Sequence, residues 1–467
     1  MTKAIIIFFI LLSNGVLAQS FFFGADMSYV NEMEDCGVSY YENENPEDLY
    51  SIFKNHGCNL VRLRLWHTPS WYDNLNSGKR YSDLNDVKIA IARARQYDID
   101  VLLDFHLSDN WADPSSQLVP DAWLSVVNDI DLLKDSLYNY IFNTLDHLND
   151  QGLLPELIQI GNETNKGILL SPQDNANWIL DWNRNATLFN YAIKAVNDFE
   201  HETGKDIRTV IHLAGPEDAE WLMDDFVSNQ VTDFDIIGLS YYWAWHKPTT
   251  ISETGQIIRT LKTLYPDKEV LIVETGYIWT TEWNDSAANI ISETHPDYYP
   301  ASPENQRDWL IDLTQEVIES GGLGVTYWEP CWVSSTCFTQ WGQGSHQEHA
   351  TFFDFDNNLL APGGIEWMDY TYDFSTSTES VPDFKQGQVQ ILSNSVSGDV
   401  RIKQDDINPK SINVFVTDTT GKVWLNNSFD SMDVNFNLGD IPLGIYIITV
   451  QQGNSILKSK KVRYSRK

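Results

Sequence analysis

Two short runs decide the fold: Leu157-Ile158-Gln159-Ile160-Gly161-Asn162-Glu163 and Val270-Leu271-Ile272-Val273-Glu274-Thr275-Gly276. Each is an apolar, β-branched run of strand length that stops at a carboxylate. A parallel strand buried on both faces reads this way, and its C-terminal end is where an α/β barrel carries chemistry. One glutamate in such a place is most simply a strand cap or the partner of a lysine. Two of them, one preceded by Asn162, point to a carboxylic acid and a carboxylate facing one cleft. That pair is what hydrolysis of a glycosidic bond requires.

Outward from these runs the same grammar repeats. Strands are expected at 21–26, 59–65, 100–106, 156–163, 208–215, 234–242, 269–274 and 322–328. Between them, 47–55, 84–97, 132–148 and 185–199 carry apolar residues at helical spacing, the first stopping before Gly57. Strict alternation of this kind builds a parallel sheet wrapped by helices, and eight strands close a (β/α)8 TIM barrel. A doubly wound sheet is the runner-up, but no Gly-x-Gly-x-x-Gly follows the first strand. The loops at 108–123, 277–303 and 329–348 are long and rich in Trp, Asp and Asn, which marks them as functional rather than slack.

The chain has 467 residues, more than one core usually holds, so a second, smaller unit is expected. Residues 1–18 read as a signal peptide: Lys3, an apolar run over 4–12, then Val16-Leu17-Ala18. The barrel follows over 19–371. A Ser/Thr-rich linker with Pro382 covers 372–387, and residues 388–467 form a small all-β sandwich. Its strands are expected at 388–392, 400–403, 411–417, 423–427, 434–438 and 444–451, with a basic finish over 458–467. A net charge of −35 excludes nucleic acid and anionic membrane surfaces as partners. Seventeen Trp residues suit sugar rings, which present flat C–H faces, although part of them must be core. Export permits disulfides, and the four cysteines suggest Cys331 with Cys337 and Cys36 with Cys58, free buried thiols being the alternative.

Particular motifs narrow the class. Gly24-Ala25-Asp26-Met27-Ser28, Val61-Arg62-Leu63-Arg64-Leu65-Trp66, the run from Asp104-Phe105-His106 to Trp111-Ala112-Asp113-Pro114, Gly161-Asn162-Glu163-Thr164-Asn165 and Tyr327-Trp328-Glu329-Pro330 resemble glycoside hydrolase family 53, the arabinogalactan endo-β-1,4-galactanases. The resemblance covers about 22–360. From 388 onward, Thr417-Asp418-Thr419-Thr420-Gly421-Lys422-Val423 and Leu443-Gly444-Ile445-Tyr446 are similar to the C-terminal sorting domain of type IX secretion, with Asn394-Ser395 standing where an Asn-Pro pair is usual.

The resemblance implies a secreted or cell-surface retaining enzyme acting on β-1,4-galactan side chains of pectin, a monomer, exported by the type IX machinery. Glu163 would be the acid/base, its pKa raised partly by the charge of Glu274, the nucleophile. Asn162 would bind the sugar 2-OH, and Arg62 would lie beside Glu274, sharing a strand face with Arg64 by period-2 alternation. Asp104 and His106 share a face of the third strand. Tyr242 would reach the nucleophile while Tyr241 packs. Trp328 would be the platform under the reacting sugar, and Trp111, Trp243, Trp332 and Trp341 are candidates for outer positions. Glu329 reads as structural. No cofactor is implied for the chemistry. A structural calcium is, at Asp285, Asn289, Ser345 and Glu348. The competing readings are a mannanase or xylanase of the same clan, and a non-catalytic carbohydrate-binding protein.

Overall fold

The first barrel strand, β1 (Phe22–Asp26), pairs in parallel with both β2 (Leu60–Leu65) and β8 (Gly324–Tyr327), and this double pairing closes the sheet. Between them run β3 (Asp100–Phe105), β4 (Leu157–Ile160), β5 (Arg208–Ala214), β6 (Ile236–Tyr241) and β7 (Glu269–Thr275), every neighbour parallel. All eight expected strands are present. The structure is a computed structural model that describes residues 21–177, 180–375, 389–404, 411–430, 433–452 and 455–465. The expected signal peptide, and the linker beyond residue 375, lie outside the described residues.

Seven helices wrap the barrel: α1 (Leu49–Asn55), α2 (Leu84–Gln96), α3 (Ile130–Asp150), α4 (Trp182–Thr203), α5 (Ala219–Ser228), α6 (Ile251–Leu264) and α7 (Pro303–Glu319). Their starts follow local chemistry. Asp48, Asp83, Asp129 and Asp181 accept hydrogen bonds from first-turn amides. Thr250 and Glu253 form a reciprocal capping box on α6. After β8 the place of an eighth helix is taken by a short 3₁₀ turn, Gly364–Trp367, which buries Ile365 and Trp367. Among the described residues no helix is long and apolar enough to cross a membrane.

The barrel interior is layered by the two-residue period of its strands. Phe22, Leu60, Leu102, Leu157, Val210, Ile236 and Leu271 form an apolar floor. Two residues further along four of these strands, the same face carries Arg62, Asp104, Gln159 and His212, all buried. A register shift between β6 and β7 at Leu239/Ser240 places Ser240 opposite Glu274. The irregularity lets Glu274 face the interior although Val273 before it is already in the interior cluster.

The cysteine pairing differs from expectation. Cys36 is bonded to Cys337, with Cα atoms 5.6 Å apart, and Cys58 and Cys331 are free and buried. Closure explains it: β1 and β8 are neighbours, so the loops that follow them meet although 301 residues separate the two cysteines.

The C-terminal unit is two facing antiparallel sheets. One holds β9 (Val389–Ser393), β10 (Asp399–Gln404) and β13 (Asp433–Asn437). The other has the order β12 (Val423–Phe429), β11 (Ile412–Asp418), β14 (Gly444–Gln452), β15 (Ser455–Tyr464). Ile391, Ile402, Val414, Val416, Ile448 and Val450 are part of its core. The basic finish, expected as a tail, is the edge strand β15. Only Val462 and Tyr464 of its described side chains are buried, while Lys460 and Lys461 turn to the barrel, so it lacks a clean apolar alternation.

This unit rests on α5 and α6. Asp218 accepts from the backbone N–H and hydroxyl of Ser395, both at 2.8 Å. Arg401 pairs with Asp224 and Asp225, Lys403 with Asp224, Lys460 with Glu220 and Lys461 with Glu253. Arg463 donates to the carbonyls of Trp245 and Lys247.

Candidate active site

Arg62 organises the polar layer. One guanidinium nitrogen lies 2.7 Å from Asp26 and 2.8 Å from Glu274 Oε1. The other donates to Asp104 at 3.0 Å and to Asn162 Oδ1 at 2.7 Å, and Nε donates to Gln159 at 3.1 Å. A buried guanidinium is tolerable only when its donors are met. Here three carboxylates and two amides, from β1, β3, β4 and the chain beyond, meet them. Those partners hold Arg62 firmly protonated against the pull of burial.

Glu163 leaves β4 in the left-handed backbone region, φ 46°. Its carboxyl takes the Ser240 hydroxyl at 2.7 Å, and Ser240 lies 2.8 Å from His212 Nε2. His212 is fully buried; burial first, and the Arg62 charge second, push its pKa well below the usual imidazole value, so it is neutral. Its Nδ1 lies 2.9 Å from Asn162 Oδ1. A file of polar groups therefore runs from Glu163 through Ser240 and His212 to Asn162. Asn162 spends one amide hydrogen on the carbonyl of Ala112 at 2.8 Å.

Oxygens of Glu163 and Glu274 and a nitrogen of His212 lie within 4.8 Å of one another. Glu274 also takes the Tyr242 hydroxyl at 3.3 Å. Burial pushes Glu274 up to about 8; Arg62 opposes the rise, and Glu163, Asp26 and Asp104 add to it. Two carboxyls this close disfavour double ionisation and titrate as a pair.

The cleft above has a volume of about 820 Å³. Asn162, Glu163, Glu274, Tyr242, Trp111 and Trp328 all line it, as do Trp332 and Trp341. Arg62, Asp104 and His106 lie beneath. His106 Nδ1 meets Asp104 at 2.8 Å, and its buried Nε2 has no protein partner. Arg64 sits under the ring of Trp111 at 4.2 Å and pairs with the buried Glu329 at 3.1 Å, so that glutamate supports the cleft wall rather than facing substrate. Trp243 packs against His295 instead of joining the cleft, and Tyr241 is buried with its hydroxyl on the carbonyl of Thr249.

The expected metal ligands meet where the loops after β7 and β8 cross. Asp285 accepts from the amides of Ala287 and Ser345, and Glu348 from the amide of Asn284 and the hydroxyl of Ser334. Burial first, and then the nearby Glu348, raise the proton affinity of Asp285 against the pull of its two amide bonds. Asn289 Oδ1 is buried without a partner, whereas the Ser345 hydroxyl is turned onto the carbonyl of Trp332.

Sequence reasoning missed Asp26, Gln159, His212, Ser240 and Trp245. Counting in twos along each strand from the apolar floor would have found Gln159 and His212. Ser240 depends on the irregularity in β6, and Trp245 on a short helix, Trp243–His246.

A (β/α)8 barrel with an asparagine–glutamate pair after β4 and an arginine-held glutamate at the end of β7 defines a class, the barrel glycosidases with paired carboxylates. Within that class, residues 22–362 match the model of glycosyl hydrolase family 53, and the chain belongs to that family. It is 45% identical to an arabinogalactan endo-β-1,4-galactanase of Cellvibrio japonicus, over 73% of this chain and 89% of that protein. It is 34% identical to an endo-β-1,4-galactanase of Bacillus subtilis, over 68% of this chain and 71% of that protein. Among solved structures, the Ignisphaera aggregans family 53 catalytic domain superposes with a TM-score of 0.67 at 32% identity, over 77% of this chain and 98% of that one. Residues 392–463 match the secretion system C-terminal sorting domain, which marks the protein for export to the cell surface or beyond.

Proposed function

We propose that this protein is a retaining endo-β-1,4-galactanase that cuts the β-1,4-galactan side chains of pectin outside the cell. The observation that carries the reading is the acid pair: carboxyl oxygens within 4.8 Å, one of them held by Arg62. Retaining glycosidases set their carboxyls about 5–5.5 Å apart, whereas inverting ones need about 6.5–9.5 Å to seat a water. The substrate reading is supported by the names of the family 53 relatives.

Arg62 favours the ionised form of Glu274, so the shared proton resides on Glu163. In that state the hydrogens run toward Glu163: its backbone N–H donates to His212 Nδ1, His212 Nε2–H to Ser240, and Ser240 to Glu163 Oε1, which leaves the proton on the other carboxyl oxygen. Glu163 gives that proton to the glycosidic oxygen as the bond to carbon one breaks, and a Glu274 oxygen bonds to that carbon. In the second half, Glu163 takes a proton from a water, whose oxygen displaces Glu274 from carbon one. The second amide hydrogen of Asn162 is placed for the sugar 2-OH, a contact that strengthens in the transition state. His106 and Asp104, bonded to each other beneath the cleft, brace the polar layer under the sugar. Trp328 is the floor under the reacting ring, with Trp111 and Trp341 beyond it.

Asp285, Glu348 and the unpartnered Asn289 oxygen fit a calcium ion, which takes six to eight oxygens; backbone and water would complete the set, since the Ser345 hydroxyl is engaged. Such an ion would clamp two loops and take no part in the chemistry. The residues numbered 1–18 serve as the export signal. Incubation with galactan, mannan, xylan and cellulose, with products identified, tests the assignment: galactan should be cut into oligosaccharides and the others left. Preferential cleavage of mannan or xylan would move the enzyme elsewhere in its clan.

A further inference from the structure

We propose that Gln117 is a positioning residue for the acid/base: its buried side-chain amide fixes the backbone of Glu163, and through it the place from which the leaving oxygen is protonated. The proposal rests on the reading of Glu163 as the proton donor and deepens it.

Gln117 follows the turn Asp113–Ser116, which lines the cleft, and is itself buried. Its Nε2 lies 2.8 Å from the carbonyl of Asn162, 3.2 Å from that of Glu163 and 3.1 Å from that of Asp113. Three carbonyls converging on one atom require that atom to be the amide nitrogen, whose two hydrogens they share. The main chain of Gln117 is anchored as well. Its N–H donates to Asn175 Oδ1 at 2.7 Å, and its carbonyl accepts from the N–H of Leu170 at 2.7 Å. The side chain is therefore a strut between the loops after β3 and β4.

Glu163 needs such a strut. Its backbone lies in the left-handed region, φ 46° and ψ 56°, which a residue with a Cβ adopts seldom and only when its surroundings hold it there. Two contacts do so from opposite ends of the residue. Its N–H donates to His212 Nδ1 at 3.3 Å, and the Gln117 amide donates to its carbonyl and to the one before it. The carboxyl is thereby carried to the Ser240 hydroxyl at 2.7 Å. Without the amide, buried carbonyls lose their donor and the main chain at 162–163 is free to turn. A reacting group displaced by about 1 Å loses on the order of 10²-fold in rate. The nucleophile does not depend on the strut, because Glu274 is held by Arg62 and Tyr242.

The test is Gln117→Met in the full chain, which keeps the length of the side chain and removes its donors. Parent and variant are compared in kcat/KM on β-1,4-galactan and on aryl β-galactobiosides whose leaving groups run from phenol to dinitrophenol. Sugar and phenol oxygens need a proton to leave and dinitrophenolate does not, so the series reads the acid alone. The expected result is a loss on the order of 10²-fold on galactan and the phenyl substrate, shrinking steadily toward the dinitrophenyl one. Glu163→Gln should steepen the series in the same sense and further. Gln117→Asn, an amide one carbon too short to span the three carbonyls, should steepen it too, and stands in if the Met variant does not fold. An equal loss on every substrate, the mark of a merely structural residue, would overturn the proposal, as would no loss at all. A parent that cuts neither galactan nor the galactobiosides faults the galactanase reading; a working parent with variants whose series run parallel to its own faults the role of Gln117 alone.

Discussion

Arg62 does at one point what several residues do elsewhere: it pairs with Asp26, Asp104 and Glu274 and orients Asn162. Lysine cannot reproduce that planar fork. Arg62→Lys should keep the fold and lower kcat on galactan by about 10²-fold or more, the loss expected when a positioned electrostatic group goes. Glu163→Gln and Glu274→Gln should each reduce hydrolysis on the order of 10³-fold or more, and azide should revive Glu274→Ala as a glycosyl azide of inverted configuration. Glu274 also links the site to stability. Its pKa rises on folding, from the ordinary carboxyl range to about 8. The rise belongs to the Glu163–Glu274 pair, which in the folded state keeps one shared proton that the unfolded chain releases between about pH 4.5 and 8, so stability falls as pH rises through that window. Glu274→Gln removes the dependence. The variant's stability relative to the parent should rise from pH 4.5 to 8 by up to about 4 kcal/mol; a pH-independent difference would contradict the buried, proton-sharing carboxyl.

At the scale of elements, the Cys36–Cys337 bridge joins the loops that follow the first and last barrel strands. Cys36→Ser should cost about 2–4 kcal/mol of stability by freeing a long loop in the unfolded chain, whereas Cys58→Ala should be far milder and leave the bridge intact by thiol titration. If the crossing of the loops after β7 and β8 holds calcium, chelation should lower Tm and added calcium restore it, with Asp285→Asn abolishing the response. The barrel strands were legible because strands buried on both faces are continuously apolar and each ends at a polar residue. The bridge was not, because closure sets two distant loops side by side and sequence distance points to the wrong partners. His212 and Gln159 were passed over because one polar residue inside an apolar run reads equally as a flaw or as a function. No strand was expected at β15, because its run of lysines breaks the apolar alternation that marks a half-buried strand.

For the molecule as a whole, an acidic barrel and a basic-edged sheet unit meet at paired charges. The contacts are partly exposed and individually modest, and together they dock the sheet unit on α5 and α6. Removing residues 376–467 should leave galactotriose hydrolysis intact and lower Tm by a few degrees, about what 1 kcal/mol is worth in a domain of this size. The account depends most on Glu274 attacking carbon one itself, which the short distance between the two carboxyls dictates. Proton NMR during the first minutes of galactan hydrolysis, before mutarotation, reads the new reducing end directly. The β-anomer should appear first and the α-anomer grow in later; an α-anomer appearing first would contradict the double displacement and the role of Glu274.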